Sequence, residues 1–257
     1  MVTSGALYTL PVDAMLLHPA TSLPMSDNIL SASGFNGDVR WTLSSEGVLS
    51  LGSGTLQESI ADNIQNRLPG DPLSRIRKII FTDRFSTKSN LFLFCDLPKV
   101  ESIEGLKNMS HSEQRSMRMM FCNTPKLKNL DLSSFNTSKI LFMNGMFSGD
   151  SGLEQLDLQN FDMRGGVDTT AMFEGTSQLK VLTLGKNFRF NGWSQASKNI
   201  GLPNIEKTDS YTGYWQDLGD GGTPEHPKGE HVFTSDQLME NYDGETMAGT
   251  YVWQPTR

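Results

Sequence analysis

Between Met119 and Leu184 the chain repeats itself at a fixed interval of 26 residues, and no other part of it is as regular. Phe121, Phe147 and Phe173 mark the interval, each preceded by a methionine, Met120, Met146 and Met172. Six residues after each phenylalanine a leucine comb begins: Leu127, Leu130 and Leu132, then Leu153, Leu156 and Leu158, then Leu179, Leu182 and Leu184. A unit of this size buries about six side chains, worth roughly 1.5 to 3 kcal/mol each. Ordering its backbone costs on the order of 1 to 2 kcal/mol per residue. One unit therefore cannot hold itself, and neighbours above and below must supply the difference.

A period of roughly 20 to 29 residues with L-x-x-L-x-L predicts a leucine-rich-repeat solenoid. The expected fold is α/β: a right-handed solenoid with a curved parallel sheet, short convex-side helices or turns, and caps at both ends. Weaker combs precede the strict ones, at Ile76, Ile79 and Phe81 and again at Val100 and Ile103, with Gly105 where a leucine is expected. "FCDLPKV" from Phe94 is echoed 27 residues on by "FCNTPKL" from Phe121. The reading is about five coils over 76–205, with strands near 76–82, 100–106, 127–133, 153–159 and 179–185. A further strand near Leu202 to Ile205 is possible.

The flanks follow from local patterns. Residues 1–38, broken by Pro11, Pro19 and Pro24, read as extended or partly ordered chain, and Met1 to Leu10 lacks the basic start of a signal peptide. Residues 39–75 read as an N-terminal cap: a hairpin over Val39 to Leu56 turning at Ser44 to Gly47, then a short helix over Gln57 to Leu68 ended by Pro69 and Gly70. Residues 206–257 read as a C-terminal cap, with a turn-dense loop, a short helix beginning at Thr234 or Ser235, a closing strand, and Trp215 and Trp253 as packing anchors.

"LDLSSFNTSKILFMNGMF" at 130–147 and "LDLQNFDMRGGVDTTAMF" at 156–173 resemble the BspA-type leucine-rich-repeat surface proteins of bacteria. The likeness is carried by Leu130, Asp131, Leu132, Ser133, Phe135, Asn136, Thr137, Ser138, Met143, Met146 and Phe147, and one coil on by Leu156, Asp157, Leu158, Phe161, Asp162, Met172 and Phe173. Arg164, Gly165 and Gly166 replace the family's Thr-Ser run, and Thr124, Asp150 and Thr176 stand where many members carry cysteine. The resemblance implies an exported protein, secreted or attached to the bacterial cell wall, that acts as an adhesin toward host matrix, mucus or other cells. The signal and anchor such a protein needs are not expected within this chain.

Candidate functional residues are those flanking the inward leucines of each strand, which face out along the concave surface. They include Lys78, Glu104, Asn129, Asp131, Ser133, Gln155, Asp157, Gln159 and Thr183. Glu104, Asp131 and Asp157 fall in one column at about 4.8 Å per strand, close enough to repel by roughly 1 to 3 kcal/mol per pair. Either a cation or basic partner relieves that repulsion, or side-chain hydrogen bonds to Ser102, Asn129 and backbone amides do, and the second is the expectation.

Composition narrows the function. A net charge of −7 argues against nucleic acid and anionic membrane surfaces, and no apolar run approaches a spanning helix. Gly149-Asp150-Ser151-Gly152 spells a serine-protease signature, but it falls in the turn of a coil without a histidine base. His18, His111, His226 and His231 lie outside the coil core, and "EHPKGEH" lacks the helical spacing of a zinc motif. No catalytic residue, metal site or cofactor is expected. Cys95 and Cys122 occupy equivalent positions of adjacent coils, where a disulfide and stacked thiols both fit, and the reduced pair is the expectation. The chain therefore reads as a non-enzymatic binding module whose partner is a protein or glycan on a host or microbial surface. The alternative is a structural spacer with no specific ligand.

Overall fold

The computed structural model describes residues 30–110, 114–190 and 200–256. The N-terminal segment before Leu30, His18 and His111 lie outside the described residues. Stacking starts on an antiparallel pair, β1 (Leu30–Asn36) with β2 (Val39–Ser44). Part of the segment expected to be loosely ordered is thus a paired strand. The Ser44 to Gly47 turn forms as read, with Gly47 N donating to Ser44 O at 3.2 Å, and returns the chain as β3 (Val48–Leu51). Val39, Trp41 and Leu43 alternate into the core, and the Trp41 indole donates to Asn63 Oδ1 at 2.9 Å. After β4 (Gly54–Leu56) comes α1 (Ile60–Gln65), where the Ser59 hydroxyl accepts from Asp62 N at 3.1 Å. The helix is shorter than its apolar spacing suggested.

The coils follow. β5 (Lys78–Phe81) pairs parallel with β3, setting Leu49 beside Ile79, and β6 (Phe85–Thr87) pairs with β4. β7 (Ser102–Glu104) pairs parallel with β5, setting Ile79 beside Ile103. The next expected strand, over 127–133, does not form, although Leu127, Leu130 and Leu132 are all buried. β7 stops at Glu104 because Gly105 turns left-handed at φ 82°, where a Cβ would sit 2.3 Å from the Phe81 carbonyl. The third coil therefore has no full-length ladder partner on that side. Pairing resumes with β8 (Gln155–Leu158) and β9 (Val181–Leu184), which are parallel with Leu156 beside Leu182 and Leu158 beside Leu184. The third coil still hangs on the fourth through Glu154 N, which donates to Lys128 O at 3.1 Å. The architecture is a β-solenoid of about five turns, mostly strand and turn with few helices.

A second backbone ladder runs along the methionine-phenylalanine side, where short helices or turns are expected from the repeat. Phe94 N donates to Met120 O, Phe121 N to Met146 O, Phe147 N to Met172 O and Phe173 N to Ile200 O, at 2.8 to 3.0 Å. Inside this ladder the rings of Phe94, Phe121, Phe147 and Phe173 stack with centroids 5.3, 5.9 and 6.0 Å apart. Four successive coils bend twice through left-handed backbone. One bend falls on Phe92, Met119, Gly145 and Ala171, the other on Asp96, Asn123, Gly149 and Gly175, and Gly201 continues the second column. The second column holds only glycine, asparagine and aspartate, the residues that tolerate this conformation.

The chain ends in antiparallel strands. β10 (Tyr211–Asp217), β11 (Val232–Phe233), α2 (Ser235–Asn241), α3 (Gly244–Met247) and β12 (Gly249–Pro255) follow in order. α2 opens with a reciprocal cap between Thr234 and Gln237. β12 pairs antiparallel with β9, extending the sheet in the order β11-β10-β12-β9-β8. No strand forms over 202–205, although Leu202 and Ile205 are buried. Trp215 is fully buried and donates to Ser235 Oγ at 3.0 Å, as an anchor should, whereas Trp253 is only half-buried.

Candidate functional site

The outward face of the strands carries the polar residues read from the comb, and the structure pairs them with one another. Lys78 on β5 meets Glu104 on β7 at 2.5 Å, so the first acidic member of the column is neutralised by the strand beside it. Asn129 Oδ1 accepts from Gln155 Nε2 at 2.7 Å, joining the third and fourth coils. Asp131 accepts from Ser133 N at 3.1 Å and Ser133 Oγ at 2.6 Å. These bonds hold the Asp131 carboxyl below its ordinary range. Asp157 accepts from Gln159 N at 2.9 Å and Gln159 Nε2 at 3.1 Å. The donors to Asp131 and Asp157 are the backbone amides and side chains of Ser133 and Gln159, two residues downstream, whereas the expectation named Ser102, Asn129 and backbone amides. Thr183 shares a hydrogen bond with Thr250 of β12 at 2.9 Å and is half-buried. The remaining members, from Glu104 to Gln159, are exposed.

One column was missed. Just ahead of the strands stand Arg77, Glu101, Lys128, Glu154 and Lys180, alternating in sign from coil to coil. Arg77 pairs with Glu101 at 3.4 Å and Lys128 with Glu154 at 3.2 Å, both well exposed and so worth about 0 to 1 kcal/mol each. Lys180, the odd member, has no carboxylate partner among the described residues. Its ammonium lies instead 5.6 Å from the Trp253 ring and 5.9 Å from the Tyr211 ring. Those rings meet edge-to-face at 5.3 Å and form one wall of a groove of about 300 Å³. Val181 and Val252, paired across β9 and β12, also line it, as do Pro224 and Glu225 of the long loop. The repeated leucines gave no hint of it; the sign alternation was a signal available in the sequence.

Other candidates resolve locally. Gly149 to Gly152 is a turn, and Asp150 is fully buried, its Oδ1 accepting from Thr124 N at 2.7 Å and Thr124 Oγ1 at 2.9 Å. Burial pushes the Asp150 carboxyl up to about 8, and its second oxygen has no partner among the described residues. His226 closes a turn with Thr223, while His231 Nδ1 lies 3.6 Å from Asp217 Oδ1 and its ring stacks on Phe233. Among the described residues no three of histidine, cysteine, aspartate and glutamate converge as a metal site would require. Arg164 keeps the bend made by Ser138 one coil earlier. Its N and Nε both donate to Asp162 Oδ1, as Ser138 N and Oγ donate to Asn136 Oδ1.

The cysteines depart from expectation. Cys95 and Cys122 form a disulfide between adjacent coils, with α-carbons 4.5 Å apart. Neither the spacing nor the residue types distinguished this from two stacked thiols.

Residues 89–198, which hold most of the coils, are similar to a family described as "Mycoplasma protein of unknown function, DUF285". No curated protein and no solved structure matches the chain. Among the described residues no helix is long and apolar enough to cross a membrane.

Proposed function

We propose that the chain is a non-enzymatic binding module of a bacterial surface protein, a leucine-rich-repeat solenoid of the BspA type that adheres to a protein or glycan on host or microbial cells. The observation that carries this reading is the outward strip from Lys78 through Asn129, Asp131, Gln155, Asp157 and Gln159. Its side chains are held by bonds to one another or to the adjacent backbone, which removes much of the ordering cost of binding. A strip repeated coil after coil offers area, which suits many weak contacts better than one buried reaction centre. The Cys95–Cys122 disulfide supports an oxidising location outside the cytoplasm. The first and last antiparallel strands serve as caps that shield the solenoid ends from edge-to-edge association.

The spacer reading draws on the same pairing, because a face whose polar groups satisfy one another needs no ligand. Immobilised chain exposed to matrix proteins, mucins and whole cells separates the two. Saturable capture that disappears in the Gln155→Ala, Asp157→Ala, Gln159→Ala triple variant supports adhesion through the strip, and no capture from any source supports the spacer.

A further inference from the structure

The groove beside Lys180 has a chemistry that the outward strip lacks. Its wall is built from the rings of Tyr211 and Trp253, both half-exposed and fixed at right angles. The Trp253 backbone N–H donates to Lys180 O at 3.1 Å, which holds β12 and the lysine in register. The indole N–H of Trp253 is out of contact with solvent and has no acceptor among the described residues. A buried donor without a partner costs about 1 to 3 kcal/mol. Trp41 and Trp215 both satisfy theirs.

We infer that this groove is a subsite for a neutral saccharide. Partly exposed aromatic rings offer flat faces to the C–H surfaces of a sugar ring. The polar residues around them are of both kinds, since Lys180 and Ser210 carry donors and the Glu225 carboxylate accepts. A sugar hydroxyl does both, so a polyol matches all of them at once. A proline-rich segment, the other occupant of aromatic grooves, offers only carbonyl acceptors at its prolines and would leave Glu225 facing them. Lys180 and Glu225 cancel in charge, and Lys180 is already engaged with the rings, so the groove makes no demand for a charged ligand. At about 300 Å³ it sits at the small end of ligand sites, the size for one or two sugar rings and not for a whole chain. The inference deepens the binding-module reading by naming a ligand class for its last coil, and it rests on that reading.

Calorimetric titration of the full chain with maltotriose, cellotriose and chitotriose, and with a proline-rich peptide, tests it. Saturable binding of at least one saccharide is expected, weakened by roughly tenfold or more in Trp253→Ala and by several-fold in Trp253→Phe, which keeps a ring of smaller face. Glu225→Gln, on an exposed loop, should weaken binding without moving the thermal midpoint, and it decides the matter if Trp253→Ala does not fold. No saccharide binding, binding indifferent to Glu225→Gln and Trp253→Phe, or binding of the peptide alone overturns the assignment. Capture of cells or matrix that persists when the titrations fail removes only the groove, whereas failure of both removes the binding-module reading as well.

Discussion

Asp150 Oδ1 accepts two hydrogen bonds from Thr124, the backbone N–H at 2.7 Å and the hydroxyl at 2.9 Å, and so ties the fourth coil to the third with a carboxyl that is fully buried. Burial raises this group from 3.8 to about 8. A carboxyl raised on folding keeps its proton where the unfolded chain has lost it. Stability is therefore highest at or below the unfolded value and falls as pH rises toward the folded one. Between pH about 4 and about 8 this contribution should decline by on the order of 1 kcal/mol per pH unit. Asp150→Asn keeps the Oδ1 acceptor and abolishes the slope. Urea unfolding of both proteins across that range checks it, and equal slopes would show that the group is not raised.

The phenylalanine column should be the most sensitive part of the core. Phe147 is stacked on both sides, by Phe121 and by Phe173. Phe147→Ala is expected to lose about 3 to 5 kcal/mol, while Phe142→Ala, at a ring 41% exposed, should change stability by only about 0.5 kcal/mol. Denaturant midpoints of the two variants give the comparison.

Reduction should loosen adjacent coils. The Cys95–Cys122 bond closes a loop of 27 residues, for which loop-closure entropy corresponds to about 3 to 4 kcal/mol. Thermal unfolding with and without reductant should differ accordingly, and the Cys95→Ser, Cys122→Ser double variant should match the reduced protein and ignore reductant.

Backbone conformation sets a fourth expectation. Ala171 sits at φ 54°, in a column where the neighbouring coil has Gly145. Ala171→Gly should stabilise by up to about 1 kcal/mol, because the left-handed penalty exceeds the entropy glycine adds to the unfolded chain. Gly175→Ala, at φ 77°, should move stability the other way by about 1 to 2 kcal/mol. Opposite signs in a pair of unfolding curves are the signature.

The stacked columns were legible because every coil contributes the same residue type at the same step: Leu156 beside Leu182 and Phe121 beside Phe147 follow from spacing alone. The missing strand of the third coil was not legible, because Leu127, Leu130 and Leu132 are buried just as in the coils that do form strands. The pairing of Asp131 with Ser133 and Asp157 with Gln159 was open to a local reading, since an acidic side chain readily meets the amide two residues on. The groove was hidden by distance along the chain. Tyr211 and Trp253 are 42 residues apart (253 − 211), and they meet only because β10 and β12 pair across an irregular register. Lys180 joins them by being the unmatched end of an alternating column.

All of this depends on coils stacking in register at 26-residue steps, and engineered cross-linking tests that most directly. Asn129 and Gln155 are bonded side chain to side chain at 2.7 Å, so an Asn129→Cys, Gln155→Cys pair in the Cys95→Ser, Cys122→Ser background should oxidise readily to an intramolecular disulfide. An Asn129→Cys, Val181→Cys pair, set two coils apart, should not. Rapid cross-linking of the first pair alone is the expected result, and failure of the first or equal reaction of both would contradict the stacked solenoid and the binding face built on it.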